Sequence, residues 1–456
     1  MTHKLLAVVA LVLGLSGAAW AKADAATAPA KTAYVVVVSR ATHQQADWKK
    51  VVDALVQKHS AKVIEYDEQV TETLDALKGE IPRYTCFVAR PEEAGRKFVA
   101  LVSNLTRKLD DDPYTDTLWG ILTGYTAGNA LDIAQHDKPL VIRKVAAGTQ
   151  FAMECCEQGL WYDELVKSKL VYKKLGGEPK QMRGPADTTA AIAKTLNEYH
   201  PDLFITSGHA TERDWQLGFR YRNGQFRCGE GKLFGLDLKK QRHPVDSPNP
   251  KVYMPVGNCL MGHINGRDCM ALAWMNSAGV KQMIGYTVPT WFGYGGWGCL
   301  NYFVEQPGRY TFTEAFFANQ HALIHAMVSG ETNARTLKGL KHDSLTVAFY
   351  GDPAWRATMA PGKLAFGQSL TADKDRWTFE IKPKDARSFA AIDTNGSQRQ
   401  PRPFVAFFGT RIQEVEIVEG AELKPVITDN FILVDRPATC DPSKTYRVVF
   451  RAKPIR

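Results

Sequence analysis

Ala33-Tyr-Val-Val-Val-Val-Ser39 sets the fold class. A tyrosine followed by four valines shows no polar and apolar alternation, so the run reads as a strand buried on both faces. The period then changes. A helical pattern spans 48–58, a second strand 62–66, a third apolar run 84–89 and a helix-like segment 95–109. Strands alternating with helices predict a parallel sheet covered on both sides. The alternation resumes with a helix over 188–199, strands over 203–206 and 251–256, a helix over 269–277 and a strand over 280–286. From about 363 the texture turns to short alternating strands, at 377–381, 404–408, 414–418, 431–434 and 446–450, separated by Pro, Asn and Gly. That pattern predicts an antiparallel, immunoglobulin-like sandwich. The expected parts are a leader over 1–21, an N-terminal α/β subdomain over 30–148, a second α/β subdomain over 149–360 and the sandwich over 361–456.

The leader is read from Lys4, the apolar run from Leu5 to Leu15 and Ala19-Trp20-Ala21, a charged, apolar and small-residue sequence typical of export signals. The run is too short to span a bilayer, and no cysteine follows the cleavage site as in a lipoprotein. The mature chain is expected to start near Lys22 and to be secreted or periplasmic. At 456 residues, with 45% hydrophobic and 23% charged residues, the composition is that of a globular chain and not a disordered one. The formal net charge of +9 is dispersed, without the Lys/Arg runs and interleaved aromatics of a nucleic-acid groove, so it reads as a solvated basic surface. Eight cysteines, at 86, 155, 156, 228, 259, 269, 299 and 440, are too scattered for a disulfide scaffold.

Two strands end in residues with chemistry to offer. Leu203-Phe-Ile-Thr-Ser-Gly-His-Ala210 closes an apolar strand with a glycine and a histidine, and Val252-Tyr-Met-Pro-Val-Gly-Asn-Cys259 closes another with a glycine and a cysteine. Ligands of open α/β sheets bind outside the carboxyl ends of strands. Neighbouring tips would set the His209 imidazole beside the Cys259 thiol, which a neutral-pH nucleophile needs because a free thiol is only a few per cent ionised. Taken singly, a histidine after a strand is a turn residue and a cysteine there is a small apolar side chain. The segment Cys259-x3-His263-x5-Cys269 offers soft metal ligands but lacks the paired spacing of structural zinc sites.

Gly208-His-Ala-Thr-Glu-Arg-Asp-Trp215, Gly257-Asn-Cys259 and Phe349-Tyr-Gly-Asp-Pro353 together resemble the gingipain-type cysteine peptidases of caspase-like fold. The resemblance extends to Cys269-Met-Ala-Leu-Ala-Trp274 and to Thr287 through Trp291, and covers roughly 112–355. It implies a secreted endopeptidase acting on protein or peptide, with Cys259 as nucleophile, His209 as general acid and base, and the amides of Ala210 and Cys259 as oxyanion donors. It matches Tyr114-Thr-Asp-Thr-Leu-Trp-Gly120 with the segment that supplies an acid beside the histidine, which makes Asp116 the orienter. Trp291 resembles the aromatic wall of the specificity pocket, and Asn129, Gly257 and Asn258 take substrate-binding positions. The chain departs from the family at Ala210, where glycine is usual; a positive φ there would strain an alanine. Gly128 or Asn129 stands where a carboxylate selects basic residues, so strict Arg or Lys specificity is not expected, and Asp132 is not taken as a substitute. No cofactor is required, although calcium on Asp110, Asp111 and Asp112 follows from the family. Two other readings use the same cleft: an inactive relative that binds peptide or surface material, and a cell-wall or sorting hydrolase.

Overall fold

The computed structural model describes residues 34–330, 333–392, 394 and 402–455. The expected leader and the start of the first subdomain at 30 lie outside the described residues. Among the described residues, twelve strands form one continuous sheet. In chain order they are β1 (Tyr34–Ser39), β2 (Lys62–Tyr66), β3 (Tyr84–Val88), β4 (Leu118–Leu122), β5 (Lys144–Ala147), β6 (Gln158–Tyr162), β7 (Lys169–Lys173), β8 (Lys180–Arg183), β9 (Leu203–Thr206), β10 (Lys251–Pro255), β11 (Val280–Tyr286) and β12 (Val347–Tyr350). Their order across the sheet is β2-β1-β3-β4-β12-β11-β10-β9-β5-β6-β7-β8. The valines of β1 are at most 1% exposed, as the unbroken apolar run requires.

Ten of the twelve strands form two parallel blocks that run in opposite directions, and β7 and β8 add an antiparallel hairpin at one edge. In the first, β2, β1, β3, β4 and β12 share one direction. In the second, β11, β10, β9, β5 and β6 share the other. They meet where β11 and β12 pair antiparallel. A boundary at 148/149 therefore does not follow the architecture: β5 lies deep in the second block beside β9, and β12 returns from the far end of the chain to flank β4. The chain changes block once after β4 and once before β12, so sheet position and chain position diverge there.

Helices cover the sheet. The first long one, α1 (Ala46–His59), buries Trp48, Val51, Val52 and Leu55, apolar positions spaced three or four apart, and stops at Ser60 with φ 51°. Helix α2 (Arg96–Leu105) buries Phe98, Val99 and Val102 in the same manner. Over the second block, α3 (Met270–Ser277) is buried on nearly every side, and its Trp274 stacks on Tyr253 of β10 at 4.0 Å.

At the carboxyl ends of β1 and β3, the Glu93 carboxylate accepts bonds from Ser39 Oγ (2.6 Å), Thr42 Oγ1 (2.6 Å) and the Arg90 amide (2.8 Å). The first block's crevice thus holds the protein's own carboxylate.

After 360 the described residues form a four-stranded antiparallel sheet and a three-stranded one, sharing a core of Phe366, Trp377, Phe379, Phe404, Ile432, Val434 and Phe450. Tyr310 Oη donates to Val405 O (2.6 Å), and His321 stacks on Phe431 at 4.0 Å, so this body is joined to the central sheet by buried contacts. Among the described residues no helix is long and apolar enough to cross a membrane.

Candidate active site

Strands β9 and β10 pair in parallel with Thr206 opposite Pro255, so their carboxyl ends emerge together. The loops beyond them are fastened by Asn258. Its side chain is fully buried; Oδ1 accepts Thr206 Oγ1 (2.6 Å) and Nδ2 donates to Gly208 O (3.0 Å). Thr206 Oγ1 also meets Tyr253 Oη at 2.9 Å. A Cβ at Gly257 would stand 2.6 Å from Ser207 Oγ, which is why glycine precedes Asn258. One buried amide therefore clamps the carbonyl just before His209 and itself sits just before Cys259.

The His209 side chain is exposed, and its ring stacks on Phe219 at 4.7 Å. Below the loop, the Trp215 indole donates to Ser207 O (2.8 Å), and only a glycine at 148 leaves room for it: a Cβ there would come within 2.4 Å of the ring. Gly208 has φ +91° and its Cβ position lies 3.1 Å from Glu164 Oε2. The other oxygen, Oε1, accepts Thr149 Oγ1 (2.8 Å), and the Glu164 carbonyl accepts the Phe219 amide (2.7 Å). The Glu164 backbone thus holds the residue whose ring stacks on His209, and its carboxylate lies beneath the Gly208 turn. Burial pushes its carboxyl up to about 7.

Cys259 is half-buried. Its sulfur accepts the Thr290 amide N–H at 3.2 Å and lies 3.5 Å from Thr290 O. All eight cysteines are free thiols. Burial pushes Cys155 and Cys269 up to about 12 and Cys228 to about 11, and raises Cys86, Cys156 and Cys299 as well. Those six thiols are poor nucleophiles at neutral pH.

Ala210 forms a bridge with Trp215 in which Gln216 N donates to His209 O and Thr211 N to Asp214 O. In such a pair the Ala210 N–H points away from the hairpin partner. Ala210 is not among the residues of positive φ, so the strain expected for an alanine does not arise; the glycine requirement falls on Gly208. Trp291 follows Thr290 directly, is 80% exposed, and stacks on His342 at 6.5 Å. His209, Ala210, Gly257, Asn258, Cys259 and Trp291 therefore gather at one edge of the sheet, with the Asn258 side chain turned inward as a clamp.

Asp116 and Asn129 are not brought beside His209 and Cys259. Asp116 precedes β4, four strands from β9, or roughly 19 Å at ordinary strand spacing. Its Oδ2 accepts the Leu109 amide (2.8 Å), its carbonyl accepts Arg411 of the C-terminal body, and burial together with Asp110 pushes it up to about 8. Asn129 lies in the first turn of the helix Ala127–Gln135 beyond the carboxyl end of β4, the opposite edge because the blocks are reversed; its Nδ2 donates to Met275 O (3.3 Å). Asp132 pairs with Lys281. Cys259, His263 and Cys269 do not converge: among the described residues the group of potential ligands that does is Asp110, Asp112 and Asp116, whose oxygens lie within 4.8 Å of one another, without Asp111.

The fold and this edge define a doubly covered α/β sheet that carries a thiol and an imidazole on clamped neighbouring strand tips. No family model and no curated protein matches the chain. Two solved structures match. One, an Arg-specific cysteine proteinase, gingipain R (RgpB), has a TM-score of 0.46 at 9% identity, over 94% of this chain and 99% of that one. The other, a complex of Porphyromonas gingivalis RgpB pro- and mature domains, has a TM-score of 0.45 at 11% identity, over 93% and 100%.

Proposed function

We propose that the chain is an exported cysteine endopeptidase working through Cys259 and His209. The observation that carries this is the Asn258 clamp, which ties the residue before the histidine to the residue before the cysteine. His209 takes the thiol proton, and the sulfur attacks a peptide carbonyl while the Thr290 N–H counters charge on it. The amides of Ala210 and Cys259 receive the oxyanion, where one well-placed donor contributes about 3 kcal/mol to the transition state. His209 then protonates the leaving amine, and water, activated by the same ring, releases the acyl group. Glu164, not Asp116, is the acid placed to hold the His209 loop. Calcium is proposed as a structural ligand of Asp110, Asp112 and Asp116, whose all-oxygen donor set suits a hard cation.

The test is twofold. Iodoacetamide should label Cys259 ahead of the other thiols, and a mixed peptide library should be cut by the wild type and not by Cys259→Ala. Labelling of Cys259 no faster than of Cys440 would end the nucleophile claim. Fast labelling without cleavage would favour the binding-module reading.

A further inference from the structure

Two loops on the side of His209 away from Cys259 leave apolar side chains in solvent. Cys259 follows β10 and His209 follows β9, whereas Asp163 and Glu164 follow β6, two strands beyond β9 in the other direction. The loop after Leu217 reaches across to that side. The Phe219 and Arg220 amides both donate to Glu164 O (2.7 and 3.3 Å), and Tyr221 Oη donates to Asp163 O (2.7 Å). The turn after β6 is fixed in its own right: Asp163 Oδ1 accepts the Leu165 and Val166 amides (2.7 and 3.1 Å), and Lys169 N donates to Val166 O (3.3 Å). Gly208 marks the divide. Its carbonyl accepts Asn258 Nδ2 from the β10 side, while a Cβ on it would face Glu164 Oε2 (3.1 Å) and Phe219 Cδ2 (3.9 Å).

Phe219 remains 47% exposed although its ring stacks on His209, and Val166 is 50% exposed. Support of the imidazole accounts for the stack. It does not account for a second apolar side chain left in solvent by the neighbouring turn, and apolar groups held out beside reactive ones mark a contact surface. On the other flank stands Trp291, 80% exposed, directly after the Thr290 amide that meets the Cys259 sulfur. Across the edge the order is therefore aromatic, thiol, imidazole, aromatic.

The chemistry decides which half of a peptide meets each flank. The sulfur bonds to the carbonyl carbon, so the acyl half lies towards Cys259 and Trp291. As the C–N bond breaks, the leaving nitrogen takes its proton from His209, so the amine half lies towards His209 and Phe219. We propose that Phe219 and Val166 form the subsite for the residue immediately after the scissile bond and select an apolar side chain there, a preference that presupposes the Cys259–His209 peptidase. Leucine or phenylalanine at that position removes apolar surface from water against the ring and the valine, and glycine has no side chain to offer.

Internally quenched peptides, built on the sequence most readily cut in a mixed library and differing only in the residue after the scissile bond, test this. Wild type should cut the leucine and phenylalanine peptides with kcat/KM about tenfold above the glycine peptide. Phe219→Ala should lower that ratio about fivefold, whatever it does to the absolute rate through His209. Phe219→Leu gives up the stack and keeps an apolar wall, so it should slow all the peptides and retain most of the ratio. Val166→Ser should lower the ratio about threefold, and it decides alone if melting shows that Phe219→Ala does not fold. Equal cleavage of the three peptides by wild type would overturn the subsite and leave the peptidase standing. So would a ratio unchanged in the folded variants. Cleavage of no library peptide by wild type would remove the peptidase reading, and the subsite with it.

Discussion

Replacing Asn258 with alanine should cost about 2–3 kcal/mol of stability and slow the chemistry of Cys259. The side chain makes two buried neutral hydrogen bonds, to Thr206 Oγ1 and to Gly208 O. Each contributes about 1 kcal/mol net, and partners left without a replacement cost more. Thr206 retains Tyr253 Oη, whereas Gly208 O lies over a site closed to solvent, so the carbonyl before His209 bears most of the loss. Urea unfolding at neutral pH measures the stability change. The iodoacetamide rate of Cys259 relative to Cys440 measures whether the two loops have come apart. Asn258→Asp keeps the acceptor, loses the donor and buries a charge, so it should fare worse than alanine. A stability loss under about 0.5 kcal/mol with an unchanged alkylation rate would refute the clamp, because a solvated or redundant side chain would behave that way.

The remaining expectations concern the same edge and the acidic loop. Burial raises Glu164 from an ordinary carboxyl value to about 7, so the folded state binds its proton more tightly than the unfolded state. Stability from this group is complete below about pH 4.5 and is lost as pH rises through 7, by roughly 3 kcal/mol; unfolding at pH 5 and pH 8 should show that slope, and Glu164→Gln should flatten it. Gly208→Ala, at φ +91°, should destabilise by at least about 1–2 kcal/mol in the same assay, whereas Ala210→Gly should leave peptide cleavage unimproved. Calcium should raise the melting temperature, a chelator should reverse the effect, and Asp116→Asn should abolish the response; an unchanged response in that variant would remove the site.

Three strands of the second block could be read from sequence because each is largely apolar between turn residues: the strands at 203–206 and 280–286 fall where the pattern put them, and Lys251–Pro255 ends one residue early. His209 and Cys259 were accessible because one follows Gly208 directly and the other follows Gly257-Asn258, each just past a strand's end. Asn129 misled because linear order carries no sign of the reversal between β11 and β12, which sends the carboxyl end of β4 to the far edge. Asp116 misled for a different reason: it reaches the correct edge but stands four strands aside. Glu164 was missed although a signal existed, since Gly159-Leu-Trp-Tyr162 is another apolar strand ending in two acids. Strands β7 and β8 escaped because their lysines mask the alternation.

The reversal also decides which loops remain free to evolve. A sheet with a single polarity gathers its variable loops along one rim, where scaffold and chemistry compete for the same turns. Here there are two such rims facing opposite ways, and on one of them the Ser39–Glu93–Arg90 knot lies at the tips of β1 and β3 beside an open cleft. The turns after β6, β9 and β10 then share the rim of His209 and Cys259, and the loops of the other rim are separated from that chemistry by the length of the strands.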